Sequence, residues 1–171
     1  DASKLAMVVL GFFGAKVYLV EEFARRGVDP DQVVAQVFVW ITQYQPRAIV
    51  VETIAYQKML KWYLDKEMMR HRRWVPTKEY KDRRSKGDRV LQAVLLVAPY
   101  KKLYVKESHT EFLSQYGIWH PQSKMQIDLL DAFAMGISEY SNASDADIEA
   151  EYEVIRNEED RTPALDFRSC P

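Results

Sequence analysis

Two aspartates three residues apart, Asp128 and Asp131, stand inside an apolar run, Ile127-Asp-Leu-Leu-Asp-Ala-Phe-Ala-Met135. On a helix that spacing sets both carboxylates on one face within one turn. A charged aspartate is seldom buried without compensation. Two like charges this close also repel each other unless a cation lies between them. Another carboxylate, Glu52, closes the apolar stretch Ala48-Ile-Val-Val-Glu52, which reads as a buried strand. Carboxylates are the oxygen donors that hard divalent cations prefer, so a strand-end Glu and a buried Asp-x-x-Asp suggest a metal site. Plainer explanations exist for each. Glu52 can simply reach solvent at the strand end, and an acid opening a helix complements the helix dipole. The dipole account suits Asp128 but not Asp131, which Ala132-Phe-Ala-Met135 follows directly.

A second kind of chemistry lies upstream. Between Arg70 and Arg89 there are nine Lys and Arg against three acids, with Trp74 and Tyr80 among them. Such density in a loop suits contacts to a phosphate backbone, although a solvated surface has the same charge pattern. The residues concerned are Arg72, Arg73, Arg83, Arg84, Lys86 and Arg89. Ser85-Lys-Gly-Asp-Arg89 leads straight into a helix, whose unpaired first N–H groups with Lys86 can hold a phosphate. From Asp145 to Pro171 the balance inverts, nine acids against three arginines, so the overall net charge of −1 conceals a sorted chain. Tyr56 and Gln57, just after Glu52, are placed either to touch a substrate or to cap a helix. No P-loop pattern is present, which argues against an ATPase site in this chain. The three histidines are scattered and no Cys/His cluster has zinc spacing.

These groups need a scaffold. With 171 residues, 47% hydrophobic and 29% charged, the chain has the size and composition of one globular domain. No apolar run approaches the roughly 18 residues of a membrane span. Asp1-Ala-Ser-Lys4 is unlike a signal peptide, and the lone Cys170 favours a reducing compartment, so the expectation is a protein that is not secreted. Lys4–Leu10 and Lys16–Glu21 read as a β-hairpin about Gly11–Gly14. Asp29-Pro30 opens a helix that runs to Tyr44, and Pro46 stops it. A strand over 48–51, a helix over 56–69 and a strand over 73–76 cut off by proline follow. Then come a helix over 87–97, a strand over 102–106, a helix over 110–116 and a last helix over 125–140. The order β-β-α-β-α-β-α-β-α-α predicts an α/β fold with a mixed sheet and helices on its faces. The four tryptophans are expected in or beside the core, and residues 142–171 are expected to form an acidic tail beyond a domain of residues 1–141.

Four pieces, taken in order, resemble one superfamily. They are the opening hairpin, Ile49-Val-Val-Glu-Thr53 followed by Gln57, Ser85-Lys-Gly-Asp-Arg89 opening a helix, and Asp128-Leu-Leu-Asp-Ala-Phe-Ala134. Together they resemble the RNase H-like nucleases, above all the nuclease domain of the large terminase subunit of tailed bacteriophages. The Asp-x-x-Asp-Ala pattern is also similar to that of Holliday-junction resolvases in the same superfamily. The resemblance implies an RNase H-like mixed sheet, an opening antiparallel hairpin and then parallel strands, flanked by helices. It implies an endonuclease that uses two Mg²⁺ or Mn²⁺ ions to cut concatemeric double-stranded viral DNA during packaging in the host-cell cytoplasm. An N-terminal ATPase motor, the portal and the small terminase subunit are the protein partners it implies. Family members take ligands from a first-strand Asp, the strand-end Glu and the last core helix. Here those positions correspond to Asp1, to Glu52, and to Asp128 with Asp131. The family's first Asp sits within a strand, whereas this sequence starts at Asp1-Ala-Ser3. Either Asp1 is that ligand or it lies upstream in a longer protein. Two rival expectations stay open: a junction resolvase, and a DNA-binding or docking module that keeps the fold without catalysis.

Overall fold

A computed structural model describes residues 4–52, 55–100 and 102–140. The chain opens with β1 (Leu5–Phe13) and β2 (Lys16–Arg25), paired antiparallel. Gly14, at φ +54°, starts the tight turn between them, in the left-handed region that two-residue hairpin turns favour. In β1, Ala6, Val8, Leu10 and Phe12 pack on one core cluster, while Leu5 and Met7 pack on another. The strand is therefore apolar on both faces and covered on both. A bulge opposite Val9 and Leu10 interrupts the ladder. Because strand periodicity is two, the extra residue changes which positions of β2 face inward. Val17 and Leu19 are buried in the first cluster before the bulge, and Ala24 packs against it after the bulge.

The second cluster belongs to α1 (Pro30–Tyr44) and α2 (Ala55–His71). Val33, Val34 and Ile41 of α1 meet Leu60, Leu64 and Met68 of α2, the last three spaced at i, i+4 and i+8. Pro30 occupies the first turn of α1, where its missing N–H costs nothing, and the Asp29 amide donates to Gln32 Oε1. Gln45, left-handed at φ +48°, ends the helix one residue before Pro46. Between the helices runs β3 (Ile49–Glu52), parallel to β4 (Thr77–Tyr80). The strand expected over 73–76 thus forms after Pro76 rather than before it. Proline has no N–H for a ladder, but the Pro76 carbonyl accepts a 2.8 Å hydrogen bond from the Ile49 amide and so leads Thr77 into register.

The chain continues through α3 (Lys86–Tyr100), β5 (Lys102–Val105), α4 (Thr110–Ile118) and α5, a helix over residues 128–140. The element order is the one read from sequence. The pairing is more divided than a single mixed sheet. Strands run β1-β2-β5 in one ladder, with β5 parallel to β2, and β3-β4 in another. Val90, Ala93 and Val97 of α3, Phe112 of α4, and Leu129, Leu130, Phe133, Ala134 and Ile137 of α5 complete the first cluster. Of the tryptophans, Trp119 packs against that cluster, whereas Trp62 and Trp74, expected near the core, are exposed. The chain divides into two compact units, Asp1–Ile137 and Ser138–Pro171. The expected acidic tail, Cys170 and Asp1 lie outside the described residues. Among those residues no helix is long and apolar enough to cross a membrane.

Candidate metal and phosphate site

Three element ends supply the site. Glu52 is the last residue of β3, Lys86 and Arg89 lie in the first turn of α3, and Asp128 and Asp131 lie in the first turn of α5. Each helix start is fixed by a hydrogen-bonding side chain. At α3, the Ser85 hydroxyl accepts from the Asp88 amide (3.1 Å) and donates to the Asp88 carboxylate (2.7 Å), a reciprocal cap. At α5 the cap comes from another helix: the buried Gln115 Oε1 of α4 accepts from the Leu129 and Leu130 amides at 3.2 and 3.4 Å. Glu22 does the same for α4, accepting from the Phe112 amide at 2.8 Å and the Glu111 amide at 3.3 Å. His109, at that helix cap, contributes no side-chain bond there.

The two helix starts are matched in charge. Lys86 and Arg89 are three residues apart on α3, as Asp128 and Asp131 are on α5, so each pair shares one helical face. Arg89 grips Asp131 with two parallel bonds, Nε to Oδ1 at 2.8 Å and Nη2 to Oδ2 at 2.6 Å, and the same Nη2 reaches Glu52 Oε1 at 3.4 Å. Lys86 Nζ donates to Asp128 Oδ1 at 2.8 Å and lies 3.8 Å from Asp131 Oδ2. Asp128 Oδ2 also accepts from Gln126 Nε2 at 2.6 Å. Exposure separates the two cations: the Arg89 side chain is 5% exposed and that of Lys86 50%. The Asp131 hydrogen bond raises the Arg89 guanidinium pKa further above its already high value, and burial opposes this. Burial acts to lower the Lys86 ammonium, but the Asp128 bond and the charges of Asp128, Asp131 and Glu52 together leave its pKa raised. Both side chains are therefore cationic at neutral pH.

The structure thus brings Glu52, Asp128, Asp131, Lys86 and Arg89 together. Arg89, expected to face DNA, is instead buried against the carboxylates, because a buried carboxylate needs a paired counter-charge. Arg84 is paired with Asp82, whose carboxylate accepts from both its side chain and its backbone amide, and the Arg84 carbonyl accepts from Arg89 Nη1 at 3.4 Å. The Arg84 hydrogen bond holds the Asp82 carboxyl well below the usual carboxylate range, with help from the 2.7 Å bond of the Tyr80 hydroxyl. Arg72, Arg73 and Arg83 are exposed and make no ion pair among the described residues. Asp1 and the side chains of Tyr56 and Gln57 lie outside those residues. Sequence reasoning missed Gln115, Gln126 and Asp82. The equal spacing of Lys86-x-x-Arg89 and Asp128-x-x-Asp131 is a legible sign that the two turns pair, whereas nothing local marks Gln115 as the cap of a distant helix.

No family model matches the chain, and no curated protein matches it. The functional reading therefore rests on the chemistry of the site. Its carboxylates come from two elements, β3 and α5, and their oxygens are the donor type that Mg²⁺ and Mn²⁺ prefer. Among the described residues, no three acidic or histidine side chains close into a ready cage. Lys86 and Arg89 stand among the donors and supply positive charge where carboxylates converge. The donor set suits a divalent ion in chemistry, while two protein cations already offset most of its charge.

Proposed function

We propose that this chain is an RNase H-like, metal-dependent endonuclease domain that cuts double-stranded DNA in viral genome packaging, as the large terminase subunit does. The observation that carries this reading is the convergence of Glu52, Asp128 and Asp131 at one strand end and one capped helix start, beside the basic stretch. Ligand sites in α/β folds favour the C-terminal ends of strands, where Glu52 lies. In this reading Glu52, Asp128 and Asp131 hold two Mg²⁺ or Mn²⁺ ions, with Asp1 or an upstream residue as a further ligand. When bound, such ions supply an activated water and charge for the leaving oxygen. The chain's own part is positional. Arg89 fixes the plane of the Asp131 carboxylate. Ser85 takes up the Asp88 amide, and the α3 amides ahead of it are the ones offered to an anion. Exposed Arg72, Arg73 and Arg83 hold the duplex by its phosphates, which positions without reading bases. The ATPase motor, portal and small terminase subunit remain the proposed protein partners, and the host cytoplasm the proposed place.

A second reading has its own observation. Two protein cations already neutralise most of the carboxylate charge, as they would in a DNA-binding or docking module that has lost catalysis. A junction resolvase shares the carboxylate pattern and differs in preferring branched DNA. Plasmid and junction cleavage in Mn²⁺, Mg²⁺ and EDTA, with Glu52→Ala and Asp128→Ala beside the parent, separates the three. Metal-dependent cutting of linear duplex, abolished in both variants, supports the proposal. Cutting confined to branched DNA favours the resolvase, and metal-indifferent DNA binding without cutting favours the module.

A further inference from the structure

Lys86 and Arg89 meet at Asp131, Lys86 also pairing with Asp128 and Arg89 with Glu52, yet they are held in different ways. Arg89 is buried and bonded through two nitrogens to both oxygens of Asp131. Breaking such a pair strands a charge away from water, which makes the pair a fixed part of the fold. Lys86 is half exposed and rests on one 2.8 Å bond to Asp128. A pair of that kind is weak, and its ammonium can return to water. Charge balance points the same way. Glu52, Asp128, Asp131 and Arg89 together leave two negative charges, which the first divalent ion to arrive matches once Lys86 has gone. The oxygens in question are also the ones with fewest partners among the described residues. Glu52 Oε2 accepts no hydrogen bond among the described residues, and Asp128 Oδ1 is bonded there only to Lys86. Asp131, by contrast, is occupied on both oxygens by Arg89.

We propose that Lys86 is an exchangeable counter-ion, a side chain that holds the Asp128 end of the site in the metal-free protein and is displaced by the arriving divalent ion. Arg89 stays in place as a positioning residue for Asp131. The displaced ammonium is then released beside the first turn of α3, where the basic stretch ends, and joins the groups that meet DNA phosphate. Metal loading and phosphate capture are coupled through one side chain. This rests on the metal-dependent reading above.

The test is Mn²⁺ titration by calorimetry on the full chain, comparing the parent with Lys86→Met, Asp128→Asn and Arg83→Gln. Arg83→Gln removes one exposed positive charge of the same basic stretch, which makes no ion pair among the described residues. Exchange predicts that Lys86→Met binds Mn²⁺ up to about fivefold more tightly, the upper end of what a surface ion pair is worth. Arg83→Gln changes affinity by less than about twofold, as a screened surface charge should. In the same samples, Mn²⁺ raises the acetylation rate of Lys86 relative to that of Lys124. If the parent binds Mn²⁺ and loses it in Asp128→Asn, but Lys86→Met binds no tighter than Arg83→Gln or Lys86 reactivity ignores the ion, exchange is wrong and the metal site stands. If neither the parent nor Lys86→Met binds Mn²⁺, the metal reading fails and exchange falls with it.

Discussion

Asp131 and Arg89 are 3% and 6% exposed, so each is the other's condition for being there. Arg89→Met leaves a carboxylate without its counter-charge in a low-dielectric place and is expected to cost about 3 kcal/mol. Asp131→Asn strands the guanidinium and costs a similar amount. Urea unfolding of the two variants and their double mutant measures the coupling, and a sum of single effects equal to the double effect would deny the pair. Asp82 carries a separate prediction. Its carboxyl is held down by the Arg84 hydrogen bond, below the value of about 3.9 that it has in an unfolded chain. The ion pair therefore contributes fully above that unfolded value and is lost as pH falls through it towards the lower folded value. Between about pH 5 and pH 2, the parent should lose more stability than Asp82→Asn does. Parallel acid limbs in thermal melts would count against this interaction.

At the scale of elements, the site depends on a relay of caps. Glu22 holds the start of α4, Gln115 of α4 holds the start of α5, and α5 presents Asp128 and Asp131. Glu22 can take part because the bulge opposite Val9 and Leu10 changes the inward-facing set of β2. Glu22→Ala should destabilise the protein by about 1 kcal/mol, the usual cost of removing an N-cap, while Glu22→Gln, which still accepts, should cost less. Chemical denaturation reads both, and equal effects would show that the carboxylate's charge rather than its hydrogen bonds matters. Gly136 marks another constraint on α5. A Cβ there would stand 2.6 Å from Leu10 Cδ1. The backbone of α5 therefore packs directly on the Leu10 side chain of β1 at this point, and a larger residue there would need that side chain to move.

For the whole molecule, charge is sorted rather than absent. Arg72, Arg73 and Arg83 are exposed without ion pairs among the described residues, while the cations nearest the carboxylates are paired. If the proposed DNA contacts are made, affinity should fall steeply with salt. Replacing those three arginines by glutamine should reduce the slope of log affinity against log salt by about 0.9 for every phosphate that they neutralise in the parent. Fluorescence anisotropy on a duplex checks it, and an unchanged slope would move the DNA face elsewhere. Both described core clusters lie before Ser138, within the first compact unit. A chain ending at Tyr140 should accordingly still unfold in one cooperative transition, read by calorimetry.

By itself the sequence determined the order of elements, because hydrophobic period, proline and glycine act locally. It also singled out Glu52, Asp128 and Asp131, since a carboxylate inside an apolar run needs an explanation wherever it folds. Strand β4 lies on the other side of Pro76 from its expected place, because only the partner ladder decides on which side of a proline pairing begins. Tertiary structure alone decided that Arg89 turns inward and that Lys86 caps the carboxylate pair. It also placed Gln115, from a helix of its own, at the start of α5. Charge density along a chain does not reveal which cation lies opposite which anion. That depends on two helix starts, Lys86 to Arg89 and Asp128 to Asp131, being set face to face by one core cluster that joins them to β1 and β2 many residues away.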